Sequence, residues 1–276
     1  MCPIERIDRV MDARLSTSLL SQLTMSLLER LNLGYGFRKY FRIDAALDDA
    51  RRDTAYRIRH EVYYEELKQQ PERRDRCPID EYDTHSMHCV LRQAHHPHKL
   101  VGCSRLVLTN PADPAMPLPF ERACAATLDR SIVDTAKLPR DRIAEVSRLA
   151  VRGIYRRREG EHHGTLTIRD EDFGTKTQPR FPYIPVGLYM GAISLAAQKN
   201  IEFLFVLAEP RLADHFARLG VDIRQIGRPI SNGSTRAPSL IDVQNAIHGM
   251  RFMMKPLWRT VNREIQSSIA PSSTLH

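Results

Sequence analysis

The stretch Ile143–Val151, with the sequence IAEVSRLAV, alternates as a β-strand does. Successive side chains of a strand point to opposite faces, so Glu145 and Ser147 are predicted to lie side by side on one face. The rest of that face is large and apolar, and a polar group buried there costs free energy unless it finds a partner. The two predicted faces are Ile143, Glu145, Ser147, Leu149 and Val151 on one side and Ala144, Val146, Arg148 and Ala150 on the other.

Two interpretations of Glu145 follow from this pattern. In the first, the carboxylate pairs with an arginine only to hold the sheet together. In the second, it takes part in chemistry. Structural ion-pair networks perturb buried carboxylates as active sites do, so the strand by itself leaves both interpretations open.

Upstream of this strand, residues 88–94 and 100–109 predict a β-hairpin across the turn His95-His96-Pro97-His98. Adjacent histidines in a tight turn splay apart, and no second cluster follows at zinc-like spacing, so we predict no metal site. In the second strand Arg105 shares a face with apolar side chains, and its guanidinium needs a carboxylate. That carboxylate is expected from the loop containing Asp80 and Asp83 or from Glu145.

A helix is predicted over residues 53–67, with Asp53 or Thr54 as its N-cap. It places Arg59 and Tyr63 one turn apart, and a surface arginine stacked over an aromatic ring is the simplest account of that pair. Residues 68–86 form a long charged loop, and its acids either orient a positive group or form a solvated turn.

Downstream of the strand, the pattern predicts further alternating helices and strands. These are a helix over 186–199, a strand over 201–207, a helix over 210–219 and a strand over 221–226. Residues 15–31 predict an amphipathic N-terminal helix, and residues 169–172 a mobile flap. Antiparallel strands followed by strand–helix–strand units predict an α/β protein with a mixed sheet.

Composition narrows the functional classes. The chain has 276 residues, of which 42% are hydrophobic and 27% charged, which is typical of a folded protein with a sizeable core. Five widely spaced cysteines argue against a disulfide framework, and neither a signal peptide nor an apolar stretch of about 18 residues is present. We therefore expect a cytoplasmic protein.

The net charge of +8 favours an acidic partner. The densest basic cluster is Arg152 with Arg156, Arg157 and Arg158, which belongs to no DNA-reading motif, so we expect no nucleic acid partner. The cluster is interpreted either as a solvated loop or as a docking patch.

Separated pieces of the chain together resemble one family. They are Arg59 with Val62-Tyr63, Asp80-x-Tyr82-Asp83, Val101-Gly102-x-x-Arg105-Leu106, and Glu145-x-Ser147-Arg148-x-Ala150-Val151. In order and spacing they resemble the signature of the acyl-homoserine lactone synthases. The chain is still more similar to the acyltransferases associated with the PEP-CTERM/exosortase system, which are related to long-chain N-acyl amino acid synthases. Motifs such as Tyr40-Phe41-Arg42-Ile43 and Glu209-Pro210-Arg211-Leu212 carry that second similarity, which covers about residues 35–250.

The resemblance implies a GNAT-type acyltransferase fold with a mixed, mainly antiparallel sheet flanked by helices. We therefore expect a helical appendage over residues 1–34, an acyltransferase domain over 35–264 and a flexible tail over 265–276. The family pattern implies catalytic roles for Glu145 and Ser147. It also implies an ion-pair network that shapes the acceptor side, formed by Arg59, Tyr63, Asp80, Asp83, Arg105 and Arg148.

Two departures from the family pattern affect the substrates. Pro78 stands where the lactone synthases usually carry a glutamate, which counts against a signalling lactone as the product. The Gly-rich phosphate loop of ordinary acetyl-CoA enzymes is missing after Val151, where Gly153 stands alone. An acidic acyl carrier protein is therefore favoured over CoA as the donor, with Arg152 and Arg156–Arg158 as its docking patch and no other cofactor.

The resulting hypothesis is an N-acyltransferase that moves a fatty acyl group from a carrier thioester to the amine of an amino acid or a similar small acceptor. Glu145 would act as base or ammonium orienter, Ser147 as a polar contact, and backbone N–H groups of the strand as the oxyanion site. The alternatives are a lactone-type signal synthase and a non-catalytic protein that binds acyl chains or docks on a membrane.

Overall fold

The computed structural model describes residues 32–67, 79–156, 181–232 and 234–270. The strands of this part are β1 (Phe41–Ala45), β2 (Ser86–Gln93), β3 (Leu100–Leu108), β4 (Ile143–Val151), β5 (Phe203–Ala208), β6 (Arg224–Gln225), β7 (Ile230–Asn232) and β8 (Ser234–Asp242). Its α-helices are α1 (Leu33–Tyr40), α2 (Asp49–His60), α3 (Pro119–Ala123), α4 (Gly153–Arg156), α5 (Tyr183–Gln198), α6 (Pro210–Arg218), α7 (Val243–Gly249) and α8 (Lys255–Ile269).

The strands form one mixed sheet in the order β1-β2-β3-β4-β5-β8-β6, with β7 paired to β8. Strands β4 and β5 are parallel, and the other pairs are antiparallel. The chain crosses from β4 to β5 through α5, as a parallel pair requires. The expected mixed, mainly antiparallel α/β fold and the hairpin of β2 and β3 are confirmed.

Helices cover both faces of the sheet. On one face α5 and α8 pack over the largest core cluster, and α5 is buried along most of its length. On the other face lie two smaller apolar clusters, one under α2 and one under the segment that contains α3. The charged side chains of β3 and β4 lie on this second face.

Several predicted element ends are corrected. Asp48, not Asp53 or Thr54, caps α2, because its carboxylate accepts a hydrogen bond of 2.8 Å from the backbone N–H of Arg51. The helix then continues as the π-helical segment Glu61–Glu66. The strand expected over 221–226 is only the two-residue β6. Strand β8 was not predicted, because Pro238 and several polar residues obscure its pattern.

Both expected domain boundaries fall within helices, and the division into domains stays a prediction. Helix α1 spans the boundary placed after residue 34, and its Leu33 and Phe37 are buried. Helix α8 continues past residue 265 to Ile269, with Ile265 buried. The helix predicted over 15–31, the flap over 169–172 and residues 271–276 lie outside the described residues. No helix in the described part is long and apolar enough to cross a membrane.

Candidate active site

Strand β4 is regular in its first half and irregular in its second. Residues 144–146 pair with both β3 and β5, and the pairing with β5 ends where Val146 faces Val206. Farther along, β4 pairs only with β3, and two residues, Arg148 and Leu149, face Ser104 across a β-bulge. Arg148 adopts a left-handed backbone with φ of 50°, which non-glycine residues rarely adopt.

The bulge corrects the predicted faces of the strand. An extra residue in a strand reverses the alternation of the residues that follow it. Leu149 and Val151 therefore pack in the large core cluster under α5 and α8. Arg148 and Ala150 lie on the opposite face of the sheet, with Glu145. Side-chain alternation predicts residues 143–147 correctly and fails after the bulge.

A buried cluster of arginines and aspartates forms beside this bulge. The guanidinium of Arg59 donates two hydrogen bonds, of 2.6 and 3.1 Å, to the carboxylate of Asp83. The guanidinium of Arg105 donates to Asp80 at 2.6 Å and to Asp83 at 2.9 Å. Arg59 and Arg105 are each 2% exposed. The carboxylate expected for Arg105 thus comes from the acidic loop and not from Glu145.

The same two aspartates fold the loop that carries them. Asp80 is the N-cap of the 3₁₀-helix Glu81–His85 and accepts a hydrogen bond of 3.1 Å from the N–H of Tyr82. Asp83 accepts one of 2.8 Å from the N–H of Asp80, which completes a capping box. The two aspartates therefore stabilise an ordered turn that packs against β3, and they do not form a solvated turn.

The arginines set the protonation state of Asp83. Burial alone favours the neutral form, but the hydrogen bond from Arg59 and the charges of Arg105 and Arg59 together hold the pKa of Asp83 well below its ordinary value. The pKa of Asp80 is also lowered, because the charge and hydrogen bond of Arg105 outweigh its burial. Both groups are ionised at neutral pH.

Glu145 has a different environment. Its side chain is 2% exposed and accepts a hydrogen bond of 2.7 Å from the backbone N–H of Phe120, at the start of α3. The ring of Phe120 stacks on Phe205 with centroids 4.3 Å apart. Burial raises the pKa of Glu145 to about 8, although the Phe120 N–H and the charge of Arg105 oppose the shift. Within the described residues no arginine pairs with Glu145, so its interpretation as half of a structural ion pair is wrong.

Ser147, Arg148 and Tyr63 lie around the bulge. Arg105 Nε donates to Ser147 Oγ at 3.1 Å, and Arg148 donates to Asp80 at 3.1 Å. The Tyr63 hydroxyl donates to the carbonyl of Leu149 at 2.9 Å. The expected stacking of Arg59 on Tyr63 is wrong, since Arg148 lies over Tyr63 and Arg59 over Tyr56.

His88 belongs to this cluster and was not predicted as a site residue. It faces Arg105 across the hairpin, is fully buried, and has Nε2 3.6 Å from Asp83 Oδ1. Burial and the positive charge of Arg59 lower the pKa of His88 to about 3, so its imidazole is neutral. The register of β2 against β3 is the signal that would have found it.

The predicted carrier-docking patch is partly described. Arg152 donates from Nε to the carboxylate of Glu61 at 2.8 and 2.9 Å, so this guanidinium is engaged within the chain. The next residue, Gly153, donates its backbone N–H to Glu66 at 2.8 Å. The side chain of Arg156 and the whole of Arg157 and Arg158 lie outside the described residues. Docking at this patch stays a prediction.

Residues 58–163 match the model of a protein family described as an acetyltransferase (GNAT) domain. The matched segment, which is less than half of the chain, is therefore similar to GNAT domains. It contains each of the predicted catalytic and network residues from Arg59 to Arg148. No curated protein matches the chain significantly.

Solved structures support the same fold. TofI, in a ternary complex with an inhibitor and MTA, has 18% identity and a TM-score of 0.51, over 75% of this chain and 95% of that chain. The AHL synthase LasI has 16% identity and a TM-score of 0.49, over 76% and 95%. FeeM, an N-acyl amino acid synthase from uncultured soil microbes, has 15% identity and a TM-score of 0.49, over 78% and 97%. At these identities the likeness to TofI establishes the fold alone.

Proposed function

We propose that the protein is an N-acyltransferase that moves a long-chain fatty acyl group from an acyl carrier protein thioester, or a CoA thioester, to the amine of an amino acid or similar small acceptor. The observation that supports this most is Glu145, a buried carboxyl group with a pKa of about 8, three residues before the bulge at Arg148 in a segment similar to GNAT domains. A carboxyl group tuned close to neutral pH is suited to proton transfer.

The reaction has three requirements: deprotonation of the acceptor, stabilisation of the oxyanion and departure of the thiol. The acceptor ammonium must lose a proton, and ionised Glu145 takes it through a water molecule because its carboxylate is buried. The free amine then attacks the thioester carbon, and backbone N–H groups on the unpaired side of β4 stabilise the oxyanion. When the tetrahedral intermediate collapses, the C–S bond breaks, and the thiolate leaves and takes up the proton that the nitrogen must lose to form the amide.

Exposure divides the ion-pair network into two parts. The side chains of Arg59, Arg105 and Asp83 are each 2% exposed, so they act as a frame. The side chains of Asp80 and Arg148 are 15% and 26% exposed, so both are partly accessible to solvent. Asp80 and Arg148 are therefore the members proposed to meet the amine and carboxylate of an amino acid, and Ser147 contacts the thioester or the acceptor.

The donor is proposed to be a carrier thioester. The backbone N–H of Gly153, which follows β4, donates to the carboxylate of Glu66, so it is not available to bind the pyrophosphate of CoA. The net charge of +8 also suits an acidic carrier. Buried free cysteines at positions 89, 103 and 124 fit a reducing compartment, and we place the reaction in the cytoplasm without a further cofactor. An association with the exosortase system is proposed from sequence resemblance alone.

The test is thiol release from a long-chain acyl carrier protein, and in parallel from acyl-CoA, by the purified full chain. The acceptors are a panel of amino acids and S-adenosylmethionine, and the organic extract is analysed by mass spectrometry. Thiol release that depends on one amino acid, with its N-acyl derivative in the extract, is the expected result. A lactone formed only with S-adenosylmethionine would replace the proposal by the signal synthase. No release with any donor and acceptor would favour a non-catalytic protein that binds acyl chains or a membrane.

A further inference from the structure

Two exposed apolar residues stand together at the start of α8. Phe252 is 88% exposed and Met253 is 52% exposed, whereas the next residue, Met254, is buried. Single exposed apolar side chains are ordinary, but a consecutive pair raised at the tip of a turn is typical of surfaces that meet a partner. We call Phe252 and Met253 the apolar tip.

A basic stripe continues from the apolar tip along α8. The helix buries Leu257, Val261 and Ile265 against the core. The opposite side carries Lys255, Arg259 and Arg263, which follow one another at intervals of four residues and are all exposed. None of these three cations forms an ion pair within the described part of the chain. The stripe therefore presents uncompensated positive charge to solvent.

Helix α1 extends this surface. It packs closely on α8, since a side chain on Gly34 would clash with the backbone of Pro256. Residues 33–40 and 251–263 together contain six lysines and arginines and no aspartate or glutamate. Every charged residue of these two segments is consequently basic, although the chain as a whole mixes 41 basic with 33 acidic residues.

An arginine-lined cavity lies at the far end of the stripe. Its volume is about 380 Å³, and Arg38, Arg42, Arg51 and Arg263 line it from four different elements. Of its two carboxylates, Asp44 pairs with Arg92 at 2.8 Å, and Glu264 accepts the backbone N–H of Ile43 at 2.9 Å and lies 3.7 Å from Arg42 Nε. Arg51 pairs with Asp48 at 3.4 Å, whereas Arg38 and Arg263 form no ion pair within the described residues. Convergent guanidinium groups of this kind are suited to phosphate oxygens.

From this juxtaposition we propose that the α1–α8 face docks on an anionic phospholipid bilayer. The apolar tip inserts at the boundary of headgroups and acyl chains, and the basic stripe and the arginine cavity lie over lipid phosphates. An acidic carrier protein would match the charges but gives no reason for an apolar tip. The proposal goes beyond acyl transfer, and docking is measured without turnover.

The experiment is sedimentation of the full chain with vesicles of phosphatidylcholine alone or with about one third phosphatidylglycerol. Strong binding is expected only to the anionic vesicles, and it should weaken as salt is raised, since salt screens exposed charges. The triple variant Lys255→Gln/Arg259→Gln/Arg263→Gln should bind about 100-fold more weakly, as each basic residue near the surface contributes about five-fold. The variant Phe252→Ser/Met253→Ser should lose on the order of ten-fold.

Matched controls separate the face from net charge. The triple variant Arg130→Gln/Arg224→Gln/Arg228→Gln removes three exposed charges near the β6 edge, and Ile154→Ser removes an apolar side chain that is 67% exposed. Both controls should bind vesicles as the parent does. Equal losses in the two triple variants, or no binding by the parent chain, would overturn the proposal. A third result would also overturn it: the parent chain does not bind vesicles, and the α8 triple variant loses affinity for the carrier protein. The face would then be a carrier-binding site.

Thiol release with a soluble acyl carrier protein keeps the two proposals apart. The α8 variants should turn over at the parent rate in that assay, because none of their residues belongs to the candidate active site. Vesicle binding by a chain that releases no thiol would support docking and reject the acyltransferase. Thiol release by a chain that ignores vesicles would do the reverse.

Discussion

Asp83 and Glu145 are both buried carboxyl groups on the same face of the sheet, 6% and 2% exposed, yet their pKa values move in opposite directions. Asp83 accepts hydrogen bonds from Arg59 and Arg105, and it stays ionised. Glu145 accepts one backbone N–H and has no countercharge in contact within the described residues. Burial favours the neutral form of both groups, and the arginines overcome this effect at Asp83, whereas at Glu145 the single backbone N–H does not.

The opposite pKa shifts indicate different roles for the two carboxyl groups. An ionised aspartate between two arginines cannot take up a proton near neutral pH, and it serves the frame of the site. A glutamate with a pKa of about 8 changes its protonation within the physiological range, which is the property that a proton-transfer group needs.

Removing the charge of Asp83 should have the largest effect. Asp83→Asn leaves Arg59 and Arg105 buried with too little negative charge, and breaking a buried pair in this way costs about 3–5 kcal/mol of folding free energy. The control is Asp44→Asn, which breaks the part-exposed pair with Arg92 and should cost about 1 kcal/mol or less. Urea unfolding measures both. Equal losses of unfolding free energy in the two variants would mean that Asp83 is no more important for stability than a part-exposed ion pair.

Glu145→Gln should instead affect activity. Glutamine resembles the protonated carboxyl group, keeps an oxygen for the Phe120 N–H and needs no proton uptake on folding, so the variant should be at least as stable as the parent at neutral pH. Turnover should fall on the order of 100-fold, because the base is gone. The matched control is Glu264→Gln, which alters another part-buried carboxyl group with a raised pKa and a backbone N–H partner, away from the site. If both variants kept the parent turnover, Glu145 would have no part in proton transfer.

The dependence of stability on pH should distinguish the two carboxyl groups without assaying activity. In the unfolded chain Glu145 ionises near 4.5, and in the folded chain at about 8, so between these values the folded state binds more protons. Its contribution is fully present below the unfolded pKa and is lost as pH rises, by up to about 1.4 kcal/mol per pH unit. The contribution of Asp83 is present above its ordinary pKa and is lost as pH falls through the depressed one.

Unfolding of the parent chain and of Glu145→Gln at pH 5.5, 6.5, 7.5 and 8.5 measures this slope. The stability of the parent should fall relative to that of the variant as pH rises. Parallel curves would show that Glu145 is already ionised in the folded protein at pH 5.5. Glu145 would then be ionised in the folded protein at neutral pH, as Asp83 is, and the contrast between the two carboxyl groups would be wrong.

Much of the sheet was predictable from residue patterns. The hairpin of β2 and β3 and the whole of β4 show strict alternation or turn residues, and Arg105 was correctly placed on the face of Cys103 and Val107. Local pattern also required a carboxylate for Arg105. It could not choose between Asp80, Asp83 and Glu145, because that choice depends on how the acidic loop folds back on β3.

The missed features are those that depend on contacts distant in sequence. The bulge at Arg148 arises from pairing with Ser104, and the partner of Glu145 is a backbone N–H in a segment with little pattern of its own. The neutral state of His88 depends on burial and on Arg59, which lies in another element. Sequence pattern predicts which side chains enter the core, and only the assembled fold determines their charge.

Tyr63→Phe should have the smallest effect and tests the link between the frame and the bulge. The hydroxyl of Tyr63 donates to the Leu149 carbonyl, and its ring lies under Arg148, which pairs with Asp80. Losing one buried hydrogen bond costs about 1 kcal/mol. Tyr56→Phe, whose hydroxyl has no hydrogen bond within the described residues, should cost less. Since the bulge positions the proposed oxyanion donors, Tyr63→Phe should also lower kcat more than it raises KM, and a change in KM alone would place Tyr63 in acceptor binding instead.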